Sequence, residues 1–208
     1  MNWYEWLKVI YGILLSTFLG FGSGWLTSKI VIKAFDRANR ARANKFFRGA
    51  QIVSGASVAF MHGAQDGQKF MGIFILAITL ATHTGSPDEL ALPVWLMVVC
   101  ALFMGIGTAS GGKRIIKSVG MGMVKMEKHQ GFAASTASTV CLLIATFTGL
   151  PVSTTHTNTT AIMGVGAARN PKSVKWSIVG DMVKTWILTF PGCGLLGYLC
   201  ALLFLLFL

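Results

Sequence analysis

The chain has 208 residues, of which 53% are apolar and only 12% charged, with a net charge of +11 and a mean hydropathy of +0.64. A soluble domain carries about a quarter charged residues, so this chain cannot cover its own surface with polar groups, and lipid must be part of its solvent. The figures exclude disorder, collagen, a coiled coil and a disulfide-stapled secreted domain. They predict an all-α integral membrane protein, a single transmembrane domain over residues 1–208, with about six crossings at roughly 20 apolar residues each.

The N-terminal MNWYEWLK lacks a basic region and a small-residue cleavage site, so no removed signal peptide is expected. Val9 to Ser28 reads as a first span, in which Gly20, Gly22 and Gly24 would let another helix come close. A polar, basic stretch follows to Arg48. Gly49 to Ala81 is apolar again, and at 1.5 Å per residue would be about 50 Å long as one helix, more than a hydrocarbon core of about 30 Å. The run is interrupted by His62-Gly63-Ala64-Gln65-Asp66-Gly67-Gln68-Lys69, so a helix broken or re-entrant at Gly63 and Gly67 is expected. Pro93 to Ser110 is a further span, with Pro93 at its start. Gly131 to Ala168 lies between two basic stretches and must cross twice, or enter and turn back at Gly149-Leu150-Pro151. Thr185 to Leu208 is the last span, with Pro191 inside it.

The distribution of charge sets the orientation. Of 18 Lys and Arg residues, 16 fall within 29–48, 113–128 and 169–184. Basic loops at 29–48, 111–130 and 169–184 are therefore expected on the cytoplasmic side, where they also attract anionic lipid. The loop 82–92 holds Asp88 and Glu89 without Lys or Arg and is placed outside. No aromatic residues interleave with base-reading side chains in the basic stretches, so no nucleic-acid partner is expected. Cys100, Cys141, Cys193 and Cys200 lie in apolar segments without metal-type spacing and read as small buried thiols.

Two polar breaks carry the chemistry. Asp66 is the one acidic residue of seven inside an otherwise apolar run, and a carboxylate at membrane depth costs at least about 2.5 kcal/mol. It needs a partner, such as a cation, Lys69 one turn away, backbone N–H groups or water. Its bland role is a helix cap paired with Lys69; its sharper role is an ion or proton site. The second break, residues 151–160, holds Ser153, Thr154, Thr155, Thr157, Asn158, Thr159 and Thr160 around His156. Gly149 and Pro151 would end one helix and Ser153 would cap the next, whose N-terminus favours an anion. Hydroxyls serve anions and small cations alike. Together the breaks suggest carriage of an anion with a coupling cation, and the anion stays unnamed at this point.

At these breaks the chain resembles the inorganic phosphate transporter family. The family signature G-A-N-D-x-Q-K is similar to Gly63-Ala64-Gln65-Asp66-Gly67-Gln68-Lys69, and G-L-P-V-S-T-T-H is present intact from Gly149 to His156. The resemblance, over about residues 30 to 208, implies low-affinity secondary transport of inorganic phosphate, free or as a metal complex, in a cell membrane, driven by protons or sodium ions and without a cofactor, structural metal or catalytic residue. It assigns phosphate contacts to Ser153, Thr154, Thr155 and Gln65, and the coupling cation or proton to Asp66 and His156. Gln65 stands where the family usually has Asn. Family members have two inverted halves, and this chain resembles the C-terminal one, so half of an inverted-repeat transporter is expected. A second polypeptide supplying the N-terminal half, or a homodimer, would complete it. Two other readings compete: a non-transporting assembly or regulatory subunit, and an intramembrane enzyme using His62 with Asp66 or Ser153 with His156.

Overall fold

The computed structural model describes residues 3–82 and 93–207. The main elements are helices α1 (Trp3–Phe35), α2 (Arg40–Thr82), α3 (Val94–Ile115), α4 (Lys128–Thr148), α5 (Thr154–Arg169) and α6 (Trp176–Phe207), with a π-helical stretch at Ile116–Met123 after α3. No strand occurs among the described residues, and the all-α membrane architecture expected from composition is the one found. Four helical segments, Leu7–Phe35, Val94–Gly112, Lys128–Thr148 and Trp176–Leu206, are long and apolar enough to cross a membrane. Six crossings are thus not confirmed: among the described residues, α2 and α5 are not among the qualifying segments. Where the sequence reading treats residues 1–208 as one domain, the structure presents two compact units, residues 1–174 and residues 175–208.

In the first unit α1 lies along α5 and α4, while α2 lies along α4 and α3. The α1–α5 contact is made by small residues. A methyl group on Gly20 would collide with Thr160 Oγ1 and the Thr157 carbonyl, and one on Gly24 with the Ala161 backbone. From the other side, Gly164 meets the backbone of Phe21 and Trp25. Backbones this close exchange dispersion contacts that lipid tails could not supply. Gly22, expected to share this role, has nothing within 4 Å of the position a Cβ would take.

Helix α2 corrects the sequence reading. It runs for 43 residues without interruption, straight through Gly63 and Gly67. Each glycine costs a helix about 1 kcal/mol relative to Ala but keeps its N–H, and residues 40–82 contain no proline. Asp66 also finds His62 and Lys69 on its own helix, at i−4 and i+3. The carboxylate therefore needs no break to be satisfied, and the excess length of α2 does not force one.

The turn between α4 and α5 lies where Gly149 and Pro151 place it. Gly149 adopts φ 66 and ψ 19, a left-handed conformation that glycine reaches without a Cβ clash. The Leu150 N–H then donates to the Ala145 carbonyl at 3.1 Å, closing the end of α4. Pro151 cannot continue a helix ladder, and Ser153 opens α5 by accepting the His156 N–H at 3.3 Å. Val152 is buried with Met61, Leu142 and Ala145, which anchors the turn against α2.

At the other end of this hairpin, Arg169 pairs with Glu127, and Glu127 and Gln130 form a reciprocal cap on α4. Val124 and Val174 pair across the same end, over Gly166. The basic stretches are less loop-like than expected. Lys29 and Lys33 belong to α1, and Arg40, Arg42, Lys45 and Arg48 to α2, which leaves Arg37 in the connection. The stretch 111–130 is largely α-helical and π-helical, and much of 169–184 belongs to α6. The loop 82–92, with Asp88 and Glu89, falls outside the described residues beyond Thr82. The second unit is α6 alone, and Pro191 lies within it without ending it. Cys193 and Cys200 are exposed on α6 rather than buried, whereas Cys100 is buried and Cys141 half-buried.

Candidate functional site

The two polar segments meet at one atom group. Asp66 projects from the middle of α2 and Thr154 from the first residue of α5, and the Thr154 hydroxyl lies 3.2 Å from Oδ2 and 3.4 Å from Oδ1 of Asp66. Lys69 Nζ donates to Oδ1 at 2.9 Å, and His62 Nε2 lies 3.0 Å from Oδ2. A half-buried carboxylate thus sits among an ammonium, an imidazole and a hydroxyl. It also sits beside the first residue of α5, where the helix dipole favours negative charge. The charged group beside this helix start is the protein's own carboxylate, which meets α5 through the Thr154 hydroxyl.

A cavity of about 560 Å³ opens beside it, between α2 and α3. His62, Asp66 and the thiol of Cys100 are among its lining residues, and Phe70, Phe74, Val99 and Phe103 form apolar walls. Asp66 therefore stands between this cavity and the hydroxyl-rich turn. Low-polarity walls strengthen any charge interaction made there.

The other expected site residues divide. Thr154 is buried, Ser153 half-buried and Thr155 exposed. The Ser153 oxygen caps α5, and its contact with the backbone of His156 is a cap, not a nucleophile–base pair. His156 is half-buried in the first turn of α5, and its carbonyl accepts the Thr160 hydroxyl at 2.7 Å. Thr157 likewise donates to the Ser153 carbonyl at 3.0 Å, so much of the hydroxyl cluster satisfies its own helix. Asn158 accepts from Ser138 on α4 at 3.0 Å. Gln65 faces away from Asp66: its amide nitrogen donates to the Leu142 carbonyl at 3.0 Å and to Thr146 Oγ1 at 2.9 Å.

Sequence reasoning assigned His62 no transport role, although its place four residues before Asp66 puts the two on one helix face. The apolar cavity walls on α3 carried no signal in sequence, because they depend on which helix lies beside α2.

With this geometry in view, comparison with known proteins is informative. The sequence profile described as the phosphate transporter family matches residues 31–197. The chain belongs to that family. It is 39% identical over 198 residues to a Bacillus subtilis (strain 168) protein named probable low-affinity inorganic phosphate transporter, covering 95% of this chain and 59% of that protein. A Rhizobium meliloti (strain 1021) protein of the same name is 37% identical, with the same coverage. One from Mycobacterium bovis, also so named, is 34% identical over 92% of this chain and 45% of its own length. The chain therefore spans about half the length of these relatives. Their names are those of transporters, not enzymes. No solved structure matches the chain.

Proposed function

We propose that this chain takes part in carrying inorganic phosphate across the cell membrane, coupled to protons or sodium ions. The observation that carries the reading is the junction of Asp66 with Thr154 at the start of α5. A phosphate oxyanion drawn to that helix N-terminus would meet a carboxylate already there, and two like charges at contact repel. A proton or cation taken up with the phosphate removes that repulsion. Binding of the two is then linked, which is the thermodynamic requirement of symport. Lys69 and the Thr154 hydroxyl supply donors for phosphate oxygens, free or in a metal complex, once Asp66 is neutralised. Ser153 and Thr155 border the same helix start, and His156 lies within its first turn.

The basic helix ends around Arg37 and Arg169 support a cytoplasmic placement of that side. The difference in length from the relatives supports a further part of the permease, supplied by a second polypeptide or a second copy of this chain.

Radiolabelled phosphate uptake into vesicles, with an imposed proton or sodium gradient, tests the reading. Asp66→Asn keeps the shape but removes the charge, and is expected to abolish gradient-dependent uptake with the protein still inserted. Uptake that persists unchanged in this variant would overturn it.

A further inference from the structure

We infer that Gln65 is a positioning residue, not a phosphate ligand: it ties α2 to α4 and so sets where the Asp66 carboxylate meets Thr154. The physiological meaning of this inference rests on the phosphate function proposed above, although its geometry does not. Gln65 is 8% exposed. Its amide nitrogen lies within hydrogen-bond distance of two acceptors on α4, the Leu142 carbonyl at 3.0 Å and Thr146 Oγ1 at 2.9 Å. Thr146 gives its own proton to the same Leu142 carbonyl at 2.8 Å. The three groups form a closed triangle that commits the amide nitrogen of Gln65 to α4. An amide held there is turned to the neighbouring helix, not to a ligand beside Asp66.

The consequence falls on the next residue. Asp66 follows Gln65 by about 100° around α2, so whatever fixes one side chain against α4 fixes the other relative to α5. The Asp66–Thr154 contacts, at 3.2 and 3.4 Å, lie near the outer limit of a hydrogen bond. A small displacement of α2 would break them. Met61, one turn before Gln65, packs on Leu142, Ala145 and Val152, so the clamp acts where α2 already touches α4 and the turn before α5. An asparagine here would be shorter by about one C–C bond, roughly 1.5 Å. It would reach both acceptors only if α2 moved toward α4.

The test is phosphate uptake by membranes in which the parent chain supports it, comparing Gln65→Leu, Thr146→Val and the double variant. Thr146 lies on the far side of the clamp from Asp66. Expected is a rise in KM of about tenfold for Gln65→Leu and a smaller rise for Thr146→Val, with the double variant no worse than Gln65→Leu alone. Gln65→Asn should fall between parent and Gln65→Leu. If Gln65 instead touches phosphate, Thr146→Val leaves KM unchanged and the two effects multiply, which would overturn the inference. A second measurement needs no transport. With the four native cysteines replaced by alanine, Asp66→Cys and Thr154→Cys should form a disulfide readily in the parent background and several-fold more slowly with Gln65→Leu. Equal rates in the two backgrounds would sink the positioning role, whatever the uptake assay shows. A parent chain that takes up no phosphate would count against the function alone.

Discussion

Thr154 is the residue through which the two motifs communicate. It is buried, and its hydroxyl is the group that α5 offers to Asp66. Thr154→Val keeps the volume and branching but deletes the donor. A hydrogen bond to a charged group is worth about 1.5–3 kcal/mol, so phosphate affinity is expected to fall by roughly tenfold or more, measured as KM for uptake, with normal insertion. Affinity equal to the parent would mean that Asp66 acts without α5. The need of Asp66 for partners was legible in sequence, because an acid in an apolar run is costly wherever it ends up. Lys69 was legible as its neighbour one turn away, whereas the break expected at Gly63 hid the spacing of His62. Gln65 was not: whether an amide faces a ligand or a neighbouring helix depends on which helix lies beside it, and Leu142 and Thr146 are some 80 residues away.

Among the elements, the α1–α5 pair and the foot of the α4–α5 hairpin make contrasting demands. Gly24 lies against the Ala161 backbone while Gly22, two residues earlier, faces open space. Gly24→Leu is expected to lower thermal stability in detergent by the amount typical of overpacking, about 1–3 kcal/mol, and Gly22→Leu to leave it nearly unchanged. Similar losses from both would contradict the close approach of α1 and α5. At the hairpin foot, the Arg169 guanidinium hydrogen-bonded to Glu127 holds that carboxyl below the usual glutamate range. A depressed carboxyl pKa stabilises the fold above the unfolded-state value, and that contribution is lost as pH falls through the folded value. Glu127→Gln should therefore lower the melting temperature at neutral pH and make progressively less difference below about pH 4. An effect equal at both extremes would separate Glu127 from the ion pair. The turn at Gly149 and Pro151 was readable because both residues have strong backbone rules of their own. The break expected at Gly63 and Gly67 was not realised, because glycine permits a helix to end without requiring it.

For the molecule as a whole, the chain spans about half the length of the relatives it matches. Asp66, His62 and Lys69 occupy one side of α2 beside the cavity against α3, and charged groups facing lipid are costly. Chain extracted gently from its native membrane is expected to run with another polypeptide or a second copy, read as mass by native mass spectrometry. A solitary monomer that transports phosphate at the parent rate would refute that expectation.

Composition and charge by themselves determined that this protein lives in a membrane, that it is helical, and which stretches carry its basic residues, since these follow from the cost of moving polar groups out of water. Motif residues with strict backbone preferences, Gly149, Pro151 and Ser153, determined the turn before α5. Tertiary structure alone decided that Asp66 meets Thr154 on another helix and that Gln65 turns toward α4. Those outcomes depend on contacts between residues distant in the chain, and neither propensity nor periodicity records which helix will stand beside which.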